Sequence, residues 1–249
     1  MVVIAYLSMI VDHVYKFLAP NLFVANTFFG RLAMPIFAYL LAIGMKRTKS
    51  REKYIYRLFI FSIVSQIPYI LMIKDVTTLK LSGLDTTTQI INVLAFFTQE
   101  FNMGFVLLIS AIFLQIMEFK ENSRINKLIT FILTATIITL FDKTGWYTLL
   151  LVIMFYYIEL KNKEDLKKMV IYMFLITTFY IIVSSLKYKI FKDAFTLYSI
   201  QYASLISLPI IYVFKDRGKR NTRMQTFIKY SIYPIHAIII FIMRMLLFT

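Results

Sequence analysis

The sequence predicts an all-α protein, a polytopic bundle of transmembrane helices. Hydrophobic residues make up 59% of the 249 residues and charged residues only 16%, and the mean hydropathy is +0.72. Apolar stretches of about 20 residues, the length that crosses a bilayer core, recur along the whole chain. This apolar excess is too large for one soluble core. We therefore expect a single transmembrane domain over residues 1–249.

The apolar stretches predict about nine transmembrane helices. The first has neither a basic n-region nor a small-residue cleavage site, so we interpret it as a retained helix. The stretch from Gln89 to Met117 exceeds one span, which predicts an outer re-entrant or surface segment at Leu84 to Glu100 and a span that starts near Asn102. The expected helices lie at roughly 2–20, 24–45, 55–73, 90–117, 127–142, 146–160, 168–186, 198–214 and 228–248.

The distribution of basic residues predicts the orientation of these helices in the membrane. The second, fourth, sixth and eighth gaps hold six, three, four and six Lys or Arg residues, whereas the odd gaps hold none, two, one and three. Since cytoplasmic loops carry the excess of cations, we expect the N-terminus in the cytoplasm and the C-terminus outside. Topology thus explains most of the net charge of +15, and we expect membrane lipid, not nucleic acid, as a partner.

Sequence motifs and cysteine usage exclude several kinds of chemistry. The chain has no cysteine, so neither a disulfide nor a thiolate nucleophile is available. It has no P-loop, dinucleotide-binding, zinc-spacing or nucleophile-elbow motif. We therefore predict no metal site, and any covalent chemistry falls to other side chains.

Ionisable residues inside predicted spans are the main functional candidates, because burying them in lipid is costly. Asp12 and His13 lie in the first helix and Arg31 in the second. On antiparallel neighbouring helices with a rise of about 1.5 Å per residue, the three fall at similar depth. We expect His13 to act as a general base, Asp12 to orient it, and Arg31 to bind a phosphate or oxyanion. The alternative is a structural ion pair between Asp12 and Arg31.

His236 in the last helix is a weaker candidate. It follows Tyr233 and Pro234 about two turns into that helix, so we expect it at a different depth from His13. Pro234 frees the carbonyl of Tyr230, and repairing such a kink with a nearby donor is routine. A packing histidine and a ligand-binding histidine are therefore both open interpretations.

The remaining polar residues carry weaker signals. Gln66, Asn102 and Gln201 are of a kind that often hydrogen-bonds between helices. The loop from Lys215 to Arg223, which includes Arg220, gathers cations that suit anionic lipid or a nucleotide-bearing ligand. Lys16 and Arg244 lie near the outer ends of helices, where we expect their long side chains to snorkel to the interface.

The order of these motifs resembles the TraX family of polytopic membrane proteins, named for a conjugal-transfer protein that N-acetylates pilin. The resemblance spans nearly the whole chain. The most specific blocks are Asp12-His13, Arg31 to Pro35, and Tyr233 to His236, with further matches at Ser65 to Tyr69, Asn102, Asp142, Gly145 and Gln201.

The resemblance implies acyl transfer from cytoplasmic acyl-CoA, chiefly acetyl-CoA, to an acceptor in or beyond the bacterial cytoplasmic membrane, such as a pilin-like peptide or an envelope glycan. We expect His13, Asp12 and Arg31 to carry the chemistry. We expect the donor to contact five residues: His236, Tyr233, Asn102, Gln66 and Arg220. The competing hypotheses are a proton-coupled transporter or flippase and a noncatalytic partner in envelope assembly.

Overall fold

The computed structural model is helical throughout the part of the chain that it describes, namely residues 1–19, 21, 23–75, 79, 83, 85–118, 123–142, 144–186, 191–215 and 222–248. Helix accounts for 87% of it, and these residues form no strand, so the all-α prediction is confirmed. A 3₁₀ helix also occurs, at Ser199–Ile206. The α-helices are α1 Val2–Phe17, α2 Phe23–Gly30, α3 Ala33–Arg47, α4 Arg51–Ile73, α5 Thr86–Thr98, α6 Met103–Met117, α7 Arg124–Phe141, α8 Gly145–Tyr157, α9 Lys163–Ser185, α10 Phe191–Tyr198, α11 Ser207–Phe214 and α12 Arg223–Phe248.

Six segments of the described chain are long and apolar enough to cross a membrane, and α5 with α6 makes a seventh if the pair is one broken span. With 16 and 13 residues, α1 and α8 are shorter. The chain is therefore a multi-pass membrane protein, whereas the count of nine spans and the orientation of the termini stay predictions. The six segments are Thr27–Arg47, Arg51–Ile73, Arg124–Phe141, Lys163–Ser185, Lys192–Phe214 and Met224–Leu247.

The fourth predicted apolar stretch, Gln89 to Met117, is interrupted at its polar residues, as the sequence predicts. The axes of α5 and α6 differ by 71°, and Asn102 caps α6 by accepting a hydrogen bond from the Gly104 N–H at 2.8 Å. Asp85 caps α5 in the same way, and its hydrogen bonds from the backbone and hydroxyl of Thr88 lower the pKa of the Asp85 carboxyl. The predicted break before Met103 is thus present, whereas the location of α5 outside the span stays a prediction.

A proline accounts for the break between α2 and α3. Pro35 lies in the first turn of α3 and has no N–H to donate to the carbonyl of Arg31, four residues earlier. The helix is interrupted at Arg31 and Leu32, which form a turn. Arg31 therefore lies at the junction between the two helices.

Helix α8 forms the centre of the bundle. It packs against α3, α6, α7 and α9, and Tyr39 of α3 meets Phe155 of α8 edge to face at a ring distance of 5.4 Å. On the other side, α12 packs against α4 and α1. The helices α1, α3, α4, α6 and α12 thus surround the space in which the candidate residues lie.

Arg244 bonds to the end of a neighbouring helix. Its guanidinium donates to the carbonyls of Met72 and Lys74 at 2.9 and 2.8 Å, whereas its snorkelling to the interface stays a prediction. These carbonyls belong to the C-terminal end of α4, where helix carbonyls lack intrahelical donors. Arg244 therefore caps α4 and fastens it to α12.

Candidate functional site

A cavity of about 590 Å³ runs along the inside of the bundle. Tyr54, Arg57 and Lys229 line one end, where α3 ends and α4 and α12 begin. Phe101 and Asp142 line the opposite end, in the segments that precede α6 and α8. The cavity therefore has lining residues at both ends of the bundle.

Asp12 lies on the cavity wall, pressed against the end of α2. A Cβ atom at Gly30 would stand 2.2 Å from Asp12 Oδ1, so the carboxyl group occupies space that any larger residue would fill. One turn earlier on α1, the Ser8 hydroxyl donates to the carbonyl of Phe29. Asp12 Oδ1 is buried and has no hydrogen-bond partner. Since such an atom is costly to leave unpaired, it is a candidate contact for a ligand.

Arg31 reaches the same cavity from the junction between α2 and α3. Its Nε is also buried without a partner, although its charge attracts the Asp12 carboxylate. No ion pair joins Arg31 to Asp12 among the described residues. The structure therefore gives no support to a structural ion pair between them, and both side chains keep unsatisfied polar atoms beside the cavity.

His13 joins these residues on the wall and contacts a second histidine behind it. Its Nδ1 lies 2.8 Å from Nε2 of His236. His236 is only 5% exposed and does not line the cavity, whereas His13 does. His13 is thus placed to meet a ligand, and His236 is placed to act on His13.

The prediction that the two histidines lie at different depths is wrong. That estimate placed the start of the last helix at residue 228, but α12 begins at Arg223. His236 is consequently 13 residues into α12, and His13 is 11 residues into α1. Helices of equal rise bring these positions to nearly the same level, and α1 packs against α12.

Gln66 and Asn102 make structural hydrogen bonds. The Gln66 side chain donates to the carbonyls of Phe97 and Glu100 at 2.9 and 2.7 Å, and its oxygen accepts from the Asn102 side chain at 2.9 Å. Neither residue is on the cavity wall. Their polar groups satisfy the exposed backbone at the break between α5 and α6, so this geometry gives no support to their predicted contact with the donor.

Two further predicted donor contacts have different outcomes. Tyr233 lines the cavity, with its ring 5.6 Å from that of Phe61 and 5.3 Å from that of His236. Arg220 lies outside the described residues. Of the four predicted donor-binding residues that the structure describes, only Tyr233 is placed on the wall.

Several lining residues were missed from the sequence. Helix α4 presents Tyr54, Arg57, Leu58 and Phe61 to the cavity, and α12 presents Thr226, Lys229 and Tyr230 beside the predicted Tyr233. Both sets follow the i, i+3, i+4, i+7 spacing of one helix face. That shared pattern of tyrosine and cation was the signal that could have identified the wall.

Aromatic and basic groups lie together on these two faces. The Arg57 guanidinium lies 5.6 Å from the centre of the Tyr54 ring, within the range of a cation–π contact. The Tyr6 hydroxyl of α1 donates to the carbonyl of Lys229 at 2.5 Å. This end of the cavity is therefore both aromatic and positively charged.

These features define a helical multi-pass membrane protein with an internal cavity whose wall carries charged side chains. The family model described as TraX protein matches residues 1–244. The chain belongs to the TraX family. No match was found among curated proteins or among solved structures.

Proposed function

We propose that the protein is a membrane-bound acyltransferase. It moves an acetyl or other acyl group from acyl-CoA to an acceptor in or beyond the membrane. The family is associated with pilin acetylation. The observation that carries the proposal is the presence of His13, Asp12 and Arg31 on the wall of one cavity that extends towards both ends of the bundle.

The aromatic and basic end of the cavity suits the donor. Coenzyme A carries phosphates, for which Arg57 and Lys229 supply positive charge, and an adenine that can stack on tyrosine. Its long thioester arm would then pass Tyr54, Tyr230 and Phe61 towards His13. By the positive-inside rule this end faces the cytoplasm, where acyl-CoA is available, so the bacterial cytoplasmic membrane is the proposed location.

The chemistry requires a base and a group that binds an oxyanion. His13 accepts a proton from the amine or hydroxyl of the acceptor, which attacks the thioester carbonyl. Arg31, with its unpaired Nε, donates to the oxygen that becomes negative in the tetrahedral intermediate. As the intermediate collapses, the carbon–sulfur bond breaks and His13 returns the proton to the leaving thiolate. A second route, in which the His13 imidazole carries the acyl group between donor and acceptor, uses the same residues.

The acceptor enters from the opposite end, past Phe101 and Asp142. Its chemical class is an amine or a hydroxyl group on a peptide or an envelope glycan. An amine and a hydroxyl must each lose a proton from the attacking atom, and His13 accepts that proton. Asp12 is predicted from the sequence to orient His13, but the partner of His13 Nδ1 is His236. We propose instead that the Asp12 carboxylate, on the same wall, favours the imidazolium that forms.

The test replaces His13 and follows coenzyme A release by purified protein in nanodiscs. We expect His13→Ala to lower turnover by about 10²- to 10⁴-fold, the range of general-base catalysis, and to leave acyl-CoA affinity and the melting temperature near those of the parent. Leu7→Ala, at an exposed position of the same helix and away from the cavity wall, is the matched control and should keep parental turnover. A folded His13→Ala protein with parental turnover would remove His13 from the mechanism.

A proton-coupled transporter is the second candidate, because the cavity has lining residues at both ends and charged groups between them. One assay distinguishes the two functions. A transporter moves substrate into sealed proteoliposomes without consuming acyl-CoA, whereas an acyltransferase releases one coenzyme A for each acceptor modified.

A further inference from the structure

The contact between His13 and His236 is an in-plane hydrogen bond, not a face-to-face stack. The two ring planes differ by only 12°, and the ring centres are 5.1 Å apart. Nδ1 of His13 and Nε2 of His236 are 2.8 Å apart. The distance between the ring centres therefore exceeds the distance between these nitrogens by about one ring radius at each end. The two nitrogens must then lie between the centres on nearly one line. This is the geometry of a strong, well-aligned hydrogen bond.

A backbone carbonyl determines which histidine donates. Nδ1 of His236 lies 3.2 Å from the carbonyl oxygen of Ile232. A carbonyl oxygen only accepts hydrogen bonds, so His236 Nδ1 carries the hydrogen. A neutral imidazole has one N–H, which leaves Nε2 of His236 as the acceptor. His13 must therefore donate from Nδ1, and its own Nε2 is unprotonated.

The surroundings favour neutral rings. His236 is 5% exposed, and a buried charge without close partners is costly. Lys16 and Arg31 are the cations near His13 and Asp12, and Asp12 is the anion. A further positive charge on either ring would add to an existing positive excess.

We propose that His236 is a positioning residue that holds His13 in the tautomer whose Nε2 is free to take a proton. Because His236 is absent from the cavity wall, it acts through His13. In this arrangement the His236 imidazole orients the base, His13. A carboxylate fills this orienting role more often. When His13 accepts a proton, its N–H bond to His236 becomes charge-assisted and strengthens. The inference rests on the proposed function for its consequence in catalysis, although the tautomer itself can be measured without it.

The chain contains two histidines, which makes nitrogen-15 histidine NMR a direct test. At neutral pH we expect both rings to be neutral, with a protonated Nδ1 and an unprotonated Nε2. In any His236 variant the one remaining histidine is His13, so its signal needs no further assignment. A parent protein in which His13 carries its hydrogen on Nε2 would overturn the proposal.

Two substitutions separate positioning from packing. His236→Gln keeps an acceptor oxygen near the position of Nε2, whereas His236→Phe keeps an aromatic ring and removes the acceptor. We expect the glutamine variant to preserve the His13 tautomer and most of kcat. The phenylalanine variant should show mixed His13 tautomers and a kcat lowered by about 10²-fold, with the KM for acyl-CoA unchanged.

The outcomes distinguish the two proposals. Equal kcat values for folded glutamine and phenylalanine variants, or the same His13 tautomer in both, would overturn the positioning role. If the phenylalanine variant does not fold, the spectra of the parent and the glutamine variant decide. A parent protein that has the expected tautomers but releases no coenzyme A with any acceptor would overturn the proposed acyl transfer and leave the positioning of His13 intact.

Discussion

At the scale of single residues, the site depends on a close approach between α1 and α2. The Asp12 carboxyl group takes the volume that a Cβ atom at position 30 would occupy, and glycine alone leaves that volume empty. Arg31 follows directly, at the turn that Pro35 imposes. One small residue and one proline thus bring a carboxylate and a guanidinium to the same wall.

The geometry of Arg31 predicts that charge alone will not replace it. Arg31→Lys keeps the positive charge but loses the planar fork and the Nε donor. We expect kcat/KM to fall by roughly 10- to 100-fold, the equivalent of losing a hydrogen bond to a charged group. Initial rates at equal expression measure this, with the exposed Arg124→Lys as the control. Unchanged kinetics in the lysine variant would show that Arg31 acts through its charge alone.

The sequence anticipated some of these neighbours and missed others. Asp12, His13 and Arg31 were placed together because ionisable residues in lipid are rare and because antiparallel helices share depth in a simple way. His236 was placed apart, since its depth was counted from a helix start set by hydropathy. The polar first turn of α12, from Arg223, is helical but not apolar, and hydropathy does not detect it.

At the scale of elements, other helices also begin earlier than hydropathy predicts. Helices α4, α7 and α9 begin at Arg51, Arg124 and Lys163, each a few residues before the predicted start. Their first turns are charged and are stabilised by caps such as Ser50, Ser123 and Asn162. Apolar length predicts the membrane-crossing part of a helix, whereas capping residues determine where the helix begins.

The break between α5 and α6 depends on buried hydrogen bonds from Asn102. This residue is 0% exposed, and its side chain donates to the carbonyl of Ser62 at 2.8 Å and caps α6. We expect Asn102→Ala to lower the free energy of unfolding by about 1–3 kcal/mol, because buried groups lose their partners.

Thermal unfolding in nanodiscs measures the effect of Asn102→Ala. Asn126→Ala, at an exposed position on α7, is the control and should melt like the parent. An Asn102→Ala protein that also melts like the parent would show that the break is held by packing instead.

At the scale of the whole molecule, the distribution of charge predicts the topology. The segments around Arg51, Arg124 and Lys163 are expected to be cytoplasmic, and the segment around Asp85 is expected outside. Because the chain has no cysteine, single cysteines report one site each. Lys53 and Thr87 are exposed, so a cysteine at either position is accessible to a reagent.

In intact cells, we expect an impermeant thiol reagent to label Thr87→Cys and to spare Lys53→Cys. After the cells are broken, both should react, which controls for accessibility. Labelling of position 53 from outside would invert the orientation and would place the donor end of the cavity on the wrong side for cytoplasmic acyl-CoA.

A cavity that extends towards both ends of the bundle also constrains the order in which substrates bind. Molecules that share one entrance exclude each other, whereas molecules with separate entrances can occupy the cavity together. Initial-rate plots for the two substrates should therefore intersect, and coenzyme A should compete with acyl-CoA but not with the acceptor. Parallel plots would instead show that the protein holds the acyl group before the acceptor arrives, with the His13 imidazole as its carrier.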